Sequence, residues 1–296
     1  TDEESGSSDI RYYYEREPFA PMAFTPDANF PLINVEKGHF SPKFGASWDA
    51  ETATPRVTDL TGGFRGNVVP PEAECVIAGL TAADVAPHCP GLEETTKVKF
   101  TCTDTPQGVK IHALGKNAHA SLPEGGINAI QGLLELLYLL PLADCPSTRA
   151  LRSMHELFPF GDMWGKALGI AMEDEQSGVL TLNLGLMTLT GTGFTASFDS
   201  RVPVCANEDN CKRACEASFA AHGIAVTGAP DMTTVHCVSA DSPLVRTLLA
   251  CYETYTGEPN AQPIAIGGGT YVHDIPGGVA FGCQFPGFDP KMHAAN

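Results

Sequence analysis

"TKVKFTCTDTPQGVKIHALG" (residues 96–115) decides the fold class of this 296-residue chain. Residues alternate on both sides of Thr105-Pro106-Gln107-Gly108, the pattern of two strands joined by a tight turn. Next comes "KNAHASLPEGGINA" (116–129), a loop of small residues, and then the apolar run "AIQGLLELLYLLPLA" (129–143). That run is too short and too interrupted to cross a bilayer, so it reads as a buried helix over 127–143.

The same alternation of hairpins and helices extends in both directions. "RVTDLTGGFRGNVVPPEAECVIAGL" (56–80) has two strand-like runs around a Gly-rich turn. A second helical stretch, 148–170, precedes another hairpin over 178–202 with its turn at Thr190 to Gly193. "NEDNCKRACEASFAAHG" (207–223) carries acids in its first turn and Gly at its end, which marks a helix; "IAVTG" then reads as a short strand. This middle block is α+β. At the two ends, "FTPDANFPLINV" (24–35) reads as a turn and a short apolar strand. From Ser242 a helix leads into two short strands around the Gly-rich loop "GGGTYVHDIPGG". The polar stretch 36–56 reads as a crossing between domains.

The length favours about two domains. A net charge of −17 argues against a nucleic-acid surface, which needs a basic patch. The ten cysteines contain no CxxC pair, and in a chain with a full core they read as reduced thiols of a cytoplasmic protein. Cys211 and Cys215 stand i,i+4, but a metal shared between them would need a second pair of ligands.

Several polar residues stand where chemistry is possible. Glu3 and Glu4 are adjacent, so on an extended segment they point to opposite sides and cannot chelate one ion together. One could hold a metal while the other serves as base for the water that metal activates; a solvated acidic surface is the ordinary alternative. Asp27 lies in an apolar neighbourhood at the start of a strand, where a buried carboxylate would need a partner. His293, in "KMHAAN", is an imidazole suited to zinc, cobalt or manganese, or else a surface histidine. His119 sits among small residues that would let a substrate approach closely. Asn67 and Arg201 end strand-like runs.

Together these phrases resemble the M20 metallopeptidase family, most closely its PepV-like (Xaa-His) dipeptidase branch. "TDEESG", "FTPDANFPLINVEKG", "TGGFRGNVVPPEA", "GKNAHASLPEGGINA", "FDSRVPV" and "GGGTYVHDIPGGVAFGCQFPG…HAAN" occur in the family's order along the whole chain. The resemblance implies an α/β, two-domain protein. A mixed-sheet catalytic domain, incomplete here, would be formed by 1–44 and 238–296, and a large α+β lid by 45–237.

It further implies a dipeptidase with two divalent metal ions, zinc first and manganese or cobalt as alternatives. Glu3 resembles the general base, and His119 the lid group that meets the oxyanion. Glu4, Asp27 and His293 resemble metal ligands. Asn67, Arg201, Gly268, Gly269 and Thr270 resemble substrate-binding residues, with Arg201 a clamp for the substrate's carboxylate. A large lid would supply His119 from the same chain, so a monomer is expected, with a dimer as the alternative. An N-acyl-amino-acid deacylase or carboxypeptidase-like hydrolase of the same family is the rival activity.

Two departures stand out. The family's upstream His-x-Asp motif and a further bridging acid have no counterpart here, which leads to the expectation of a fragment that is inactive by itself. His273 stands where the branch usually has arginine.

Overall fold

The computed structural model describes residues 7–228 and 232–287. The chain divides into two compact units: Thr1–Gly38, Glu173–Gly178 and Thr234–Asn296 form one, His39–Met172 and Val179–Thr233 the other.

The larger unit is built on a nine-stranded sheet. At its centre the strands Thr181–Thr190 and Gly193–Val202 form the hairpin expected around residues 190–193. The first of these pairs antiparallel with Arg56–Gly62, and that strand with Glu72–Ala78. The hairpin Lys99–Thr105 and Gly108–Leu114 completes this side. On the other side lie Lys43–Ser47 and Ala225–Thr227. The burial alternates along Gly108–Leu114, with Val109, Ile111 and Ala113 fully buried, so the period of 2 read in the sequence is the sheet's core face.

Helix Ala129–Leu139 packs on this sheet beside helix Pro146–Leu157. Ile130, Leu133 and Leu136 of the first are fully buried, which accounts for so continuous an apolar run in one helix. The second helix stops at Leu157, short of the expected 170. The segment that follows has glycines 161, 165 and 169 at positive φ, a conformation that ends helical repetition.

The stretch 36–56 is not a bare crossing. It contains the strands Gly38–Phe40 and Lys43–Ser47, and Phe40 and Phe44 are fully buried. Phe44 stacks on Phe158 at 5.6 Å and on Phe219 at 4.3 Å, joining strand and helices into one core. Burial pushes the Cys211 thiol of this unit up to about 12, and raises Cys75 and Cys215 as well. No disulfide links cysteines among the described residues.

The smaller unit carries a mixed five-stranded sheet around Ile33–Glu36. That strand pairs parallel with Ile264–Ile266 and antiparallel with His236–Cys237 and Val279–Ala280. Helix Pro243–Thr256 starts on Ser242, whose side chain accepts from the Val245 N–H. The fold is α/β with a mixed sheet in one unit and an α+β unit beside it in sequence. Among the described residues no helix is long and apolar enough to cross a membrane.

Replacing Phe44 by Ala removes the ring that both Phe158 and Phe219 stack on. The expected cost is about 3–5 kcal/mol, read as a lowered denaturation midpoint.

Candidate functional site

The loop that carries His119 is shaped by its own motif. Lys116 and Ile127 exchange backbone hydrogen bonds at its base, 2.9 and 2.8 Å long. Pro123 opens a short 3-10 turn over Pro123–Gly125. A Cβ on Gly126 would come 2.8 Å from Val69 Cγ1 and 2.9 Å from the Lys116 carbonyl, so only glycine lets the chain pass there. Asn128 caps the following helix by accepting from the Gln131 N–H at 3.1 Å.

His119 and Asn67 are brought together by backbone pairing. Ala120 N–H donates to the Asn67 carbonyl, and Val69 N–H to the Ala118 carbonyl, both at 2.9 Å. Both side chains are exposed. The Ser121 N–H donates to His119 Nδ1 at 3.2 Å, and the Ser121 hydroxyl lies 2.7 Å from the same nitrogen. A backbone N–H can only donate, so Nδ1 is the acceptor and the neutral ring carries its hydrogen on Nε2. The ring is thereby set as an N–H donor through Nε2.

Beneath this pair lies a buried amide chain that the sequence did not flag. Asn128 Nδ2 donates to Asn183 Oδ1 at 3.1 Å and to the Leu184 carbonyl at 2.9 Å. Asn183 Nδ2 donates in turn to the carbonyls of Val68 at 3.0 Å and Gly66 at 3.4 Å. The Asn67 loop, the helix cap and the central strand are thus held by one satisfied network. Asn128 was visible as a motif residue, but nothing local marks Asn183.

Arg201 is placed differently from a plain surface clamp. It is 5% exposed on the strand Gly193–Val202. Its Nε and Nη2 engage the two oxygens of Asp199 at 2.7 and 3.2 Å, and Nη1 lies 2.9 Å from His39 Nε2. Guanidinium only donates, so His39 Nε2 accepts and His39 holds its hydrogen on Nδ1. The pair is buried on both sides, and breaking it would leave Asp199 uncompensated.

In the smaller unit, Thr270 is held by Glu36, a fully buried carboxylate missed in the sequence. Glu36 accepts from the Thr270 N–H at 3.1 Å and from its hydroxyl at 2.6 Å. His273 Nδ1 lies 3.3 Å from the same carboxylate, and its Nε2 donates to the Thr234 carbonyl at 2.9 Å. Hydrogen bonding to Glu36 raises the His273 pKa above its ordinary value, against the opposing effect of burial. The histidine that replaces the branch's arginine therefore anchors the Gly268, Gly269 and Thr270 loop from below. The helix Ser8–Tyr14 reaches the same turn, with the Tyr271 hydroxyl donating to Asp9 at 2.8 Å.

Asp27 departs from expectation. It is exposed in a bend after the strand Phe24–Thr25, so it bears no desolvation that would demand a partner. Glu3, Glu4 and His293 lie outside the described residues. Among the described residues no group of three or more His, Cys, Asp or Glu side chains could hold a metal ion. The described residues alone therefore do not fit a metal centre; Asp27 offers one exposed carboxylate toward it.

No family model matches the chain. It is 35% identical, over 99% of its length, to YtjP of Bacillus subtilis (strain 168), which its name presumes to be a dipeptidase. It is 30% identical, over 100% of its length, to the Beta-Ala-Xaa dipeptidase of Lactobacillus delbrueckii subsp. lactis. This chain is a relative of these dipeptidases. The resemblance carried by its motifs, to the dipeptidase branch of the M20 metallopeptidases, stands. The dipeptidase relative spans 62% of the length of each of the two proteins. Among solved structures it is similar to the aminoacylhistidine dipeptidase of Vibrio alginolyticus, with a TM-score of 0.46 and 12% identity. That match covers 89% of this chain and 59% of the other.

The Glu36–His273 pair makes stability depend on pH with a definite sign. A histidine whose folded pKa is raised stabilises fully below its unfolded value of about 6.5, and that stability is lost as pH rises through the higher folded value. The gap in melting temperature between wild type and His273→Gln is expected to be widest just below pH 6.5 and to close on the alkaline side. A gap independent of pH would contradict the pairing.

Proposed function

We propose that this chain serves a metal-dependent dipeptidase that hydrolyses the peptide bond of dipeptides. The observation that carries this reading is His119, set by Ser121 as an Nε2–H donor beside Asn67, in a chain related along its length to named dipeptidases.

In this reading the Nε2–H of His119 donates to the scissile carbonyl oxygen as negative charge develops on it. A donor aimed at developing charge is worth more in the transition state than in the ground state. Asn67 and Arg201, with Gly268, Gly269 and Thr270, bind the substrate, the last three on the loop that Glu36 fixes. Glu3 is the general base that takes the proton from the attacking water and passes it to the leaving amine. Glu4, Asp27 and His293 are the ligands assigned to two divalent ions, zinc first and manganese or cobalt as alternatives; these ions would supply Lewis-acid chemistry. The larger unit is the lid of this design. The partner is a small peptide, and a monomer suffices. Buried thiols such as Cys75, Cys211 and Cys215 suit a cytoplasmic location.

The decisive assay sets dipeptides against N-acetyl amino acids and longer peptides, with the native gene product. Dipeptides are expected to be preferred, and activity to vanish on chelation and return with a divalent metal. A preference for N-acetyl amino acids would replace this reading by the deacylase. His119→Ala is expected to lower kcat by about 10²–10³, as loss of an oxyanion donor does. Glu3→Gln is expected to abolish turnover while bound metal, measured by elemental analysis, is retained.

A further inference from the structure

Glu36 and His273 form a pair that takes no part in the proposed hydrolysis. His273 Nε2 lies 2.9 Å from the Thr234 carbonyl, which only accepts, so this nitrogen carries a hydrogen. A neutral ring then has a bare lone pair on Nδ1, yet Nδ1 faces the Glu36 carboxyl at 3.3 Å. Two acceptors at that distance need a proton between them, whichever of them owns it. Glu36 is fully buried, so bulk water does not screen the repulsion once that proton leaves.

The pair lies directly under the Gly-rich loop. Among the described residues, a Cβ on Gly269 would meet only Glu36 Oε2 at 3.8 Å and His273 Nδ1 at 3.9 Å. One on Gly268 would meet only Ile266 at 3.7 Å, so the loop is not wedged in place by apolar packing. Thr270 ties it down instead. Its N–H donates to both oxygens of Glu36 at 3.1 Å and its hydroxyl to one of them at 2.6 Å. Its carbonyl accepts from the His273 N–H at 3.0 Å. Every polar group of Thr270 is thereby engaged, and its part in binding is the shape it gives to Gly268 and Gly269.

The other charged groups around His273 have partners of their own. Asp274, next on the turn Tyr271–Asp274, meets Arg11 Nε at 3.3 Å. The Tyr271 hydroxyl donates to Asp9. The His236 ring stands 6.0 Å from that of His273, with its Nε2 held by the Gly278 carbonyl at 2.7 Å. Hydrogen bonding to Glu36 raises the His273 pKa above its ordinary 6.5 against the effect of burial, and Asp274 adds to the rise. The proton is therefore fully in place below about 6.5 and is lost as pH climbs through the higher folded value.

We infer that Glu36 and His273 are positioning residues for the substrate loop: the proton they share holds residues 268–270 in the binding conformation, and its loss at alkaline pH loosens the loop and weakens substrate binding. This rests on the dipeptidase reading and adds to it a pH control of the binding site. An arginine at position 273 would keep its charge throughout this range, so the histidine is what makes the contact titratable.

Hydrogen–deuterium exchange of the native gene product reads the loop directly. After correction for the intrinsic pH dependence of exchange, residues 267–274 are expected to lose protection between about pH 6 and about pH 9 in wild type. His236→Gln, which alters the neighbouring histidine, should lose it in the same way. In His273→Arg and His273→Gln, which have no ring to titrate, protection should stay level. In parallel, KM for alanyl-leucine is measured over the same range. The substrate's own α-amine titrates near about 8 whichever variant is present, so the reading is the ratio of wild-type KM to that of His273→Arg. That ratio is expected to rise about threefold to tenfold, the range of one hydrogen bond, with kcat changing less. Equal pH dependence of protection in wild type and both His273 variants, or a flat KM ratio, would overturn the inference. If wild type cleaves no dipeptide, the dipeptidase reading falls, and exchange alone then decides whether the pair holds the loop.

Discussion

The carboxamide of Asn183 is buried in the middle of the sheet, where an unsatisfied amide would be costly, and it is satisfied by two different parts of the chain. It accepts from the helix cap Asn128 and donates to the backbone of the loop that carries Asn67. Asn128 in turn spends its oxygen on the helix N-terminus and one of its N–H bonds on the central strand. No member of this set can move alone without leaving a buried polar group unpaired. The position of His119 follows, because its segment is paired to the loop that Asn183 holds. A histidine on an exposed loop thus gains the fixed geometry of a residue in the core.

The smaller unit uses the same logic with charge. Glu36 is fully buried, and its cost is offset by the Thr270 N–H, the Thr270 hydroxyl and the ring of His273. The Gly-rich loop would otherwise be free to sample many conformations, since glycine restricts the backbone least. A buried carboxylate therefore does for residues 268–270 what the amide chain does for residues 65–68. In both places an accessible loop is ordered by a buried polar partner from a distant part of the chain.

Much of the architecture was legible because it depends on local spacing. The period of 2 in residues 99–114 and the continuous apolar run after Asn128 each bury a surface in one way only. Reading failed where spacing is uninformative. Phe40 and Phe44 are isolated aromatics in a polar stretch, so 36–56 looked like a crossing although both rings enter the core. Side-chain pattern predicts a helix to 170, yet it stops at Leu157, because the pattern does not register the positive-φ glycines beyond it. Asp27 sat among apolar letters and yet is exposed, because neighbours in sequence on a bend are not neighbours in burial.

The sequence by itself determined the hairpins, the capped helix and the shape of the His119 loop, all of which arise from interactions a few residues apart. Only the tertiary structure decided the partners of the buried polar groups. Glu36 meets Thr270 across 234 residues, Asn128 meets Asn183 across 55, and Arg201 meets His39 across 162. Such pairings carry no periodic signature, since a carboxylate or an amide accepts whichever donor the fold delivers. That is also why the partners of Arg201, Asp199 and His39, are delivered by the fold and carry no mark in the local sequence.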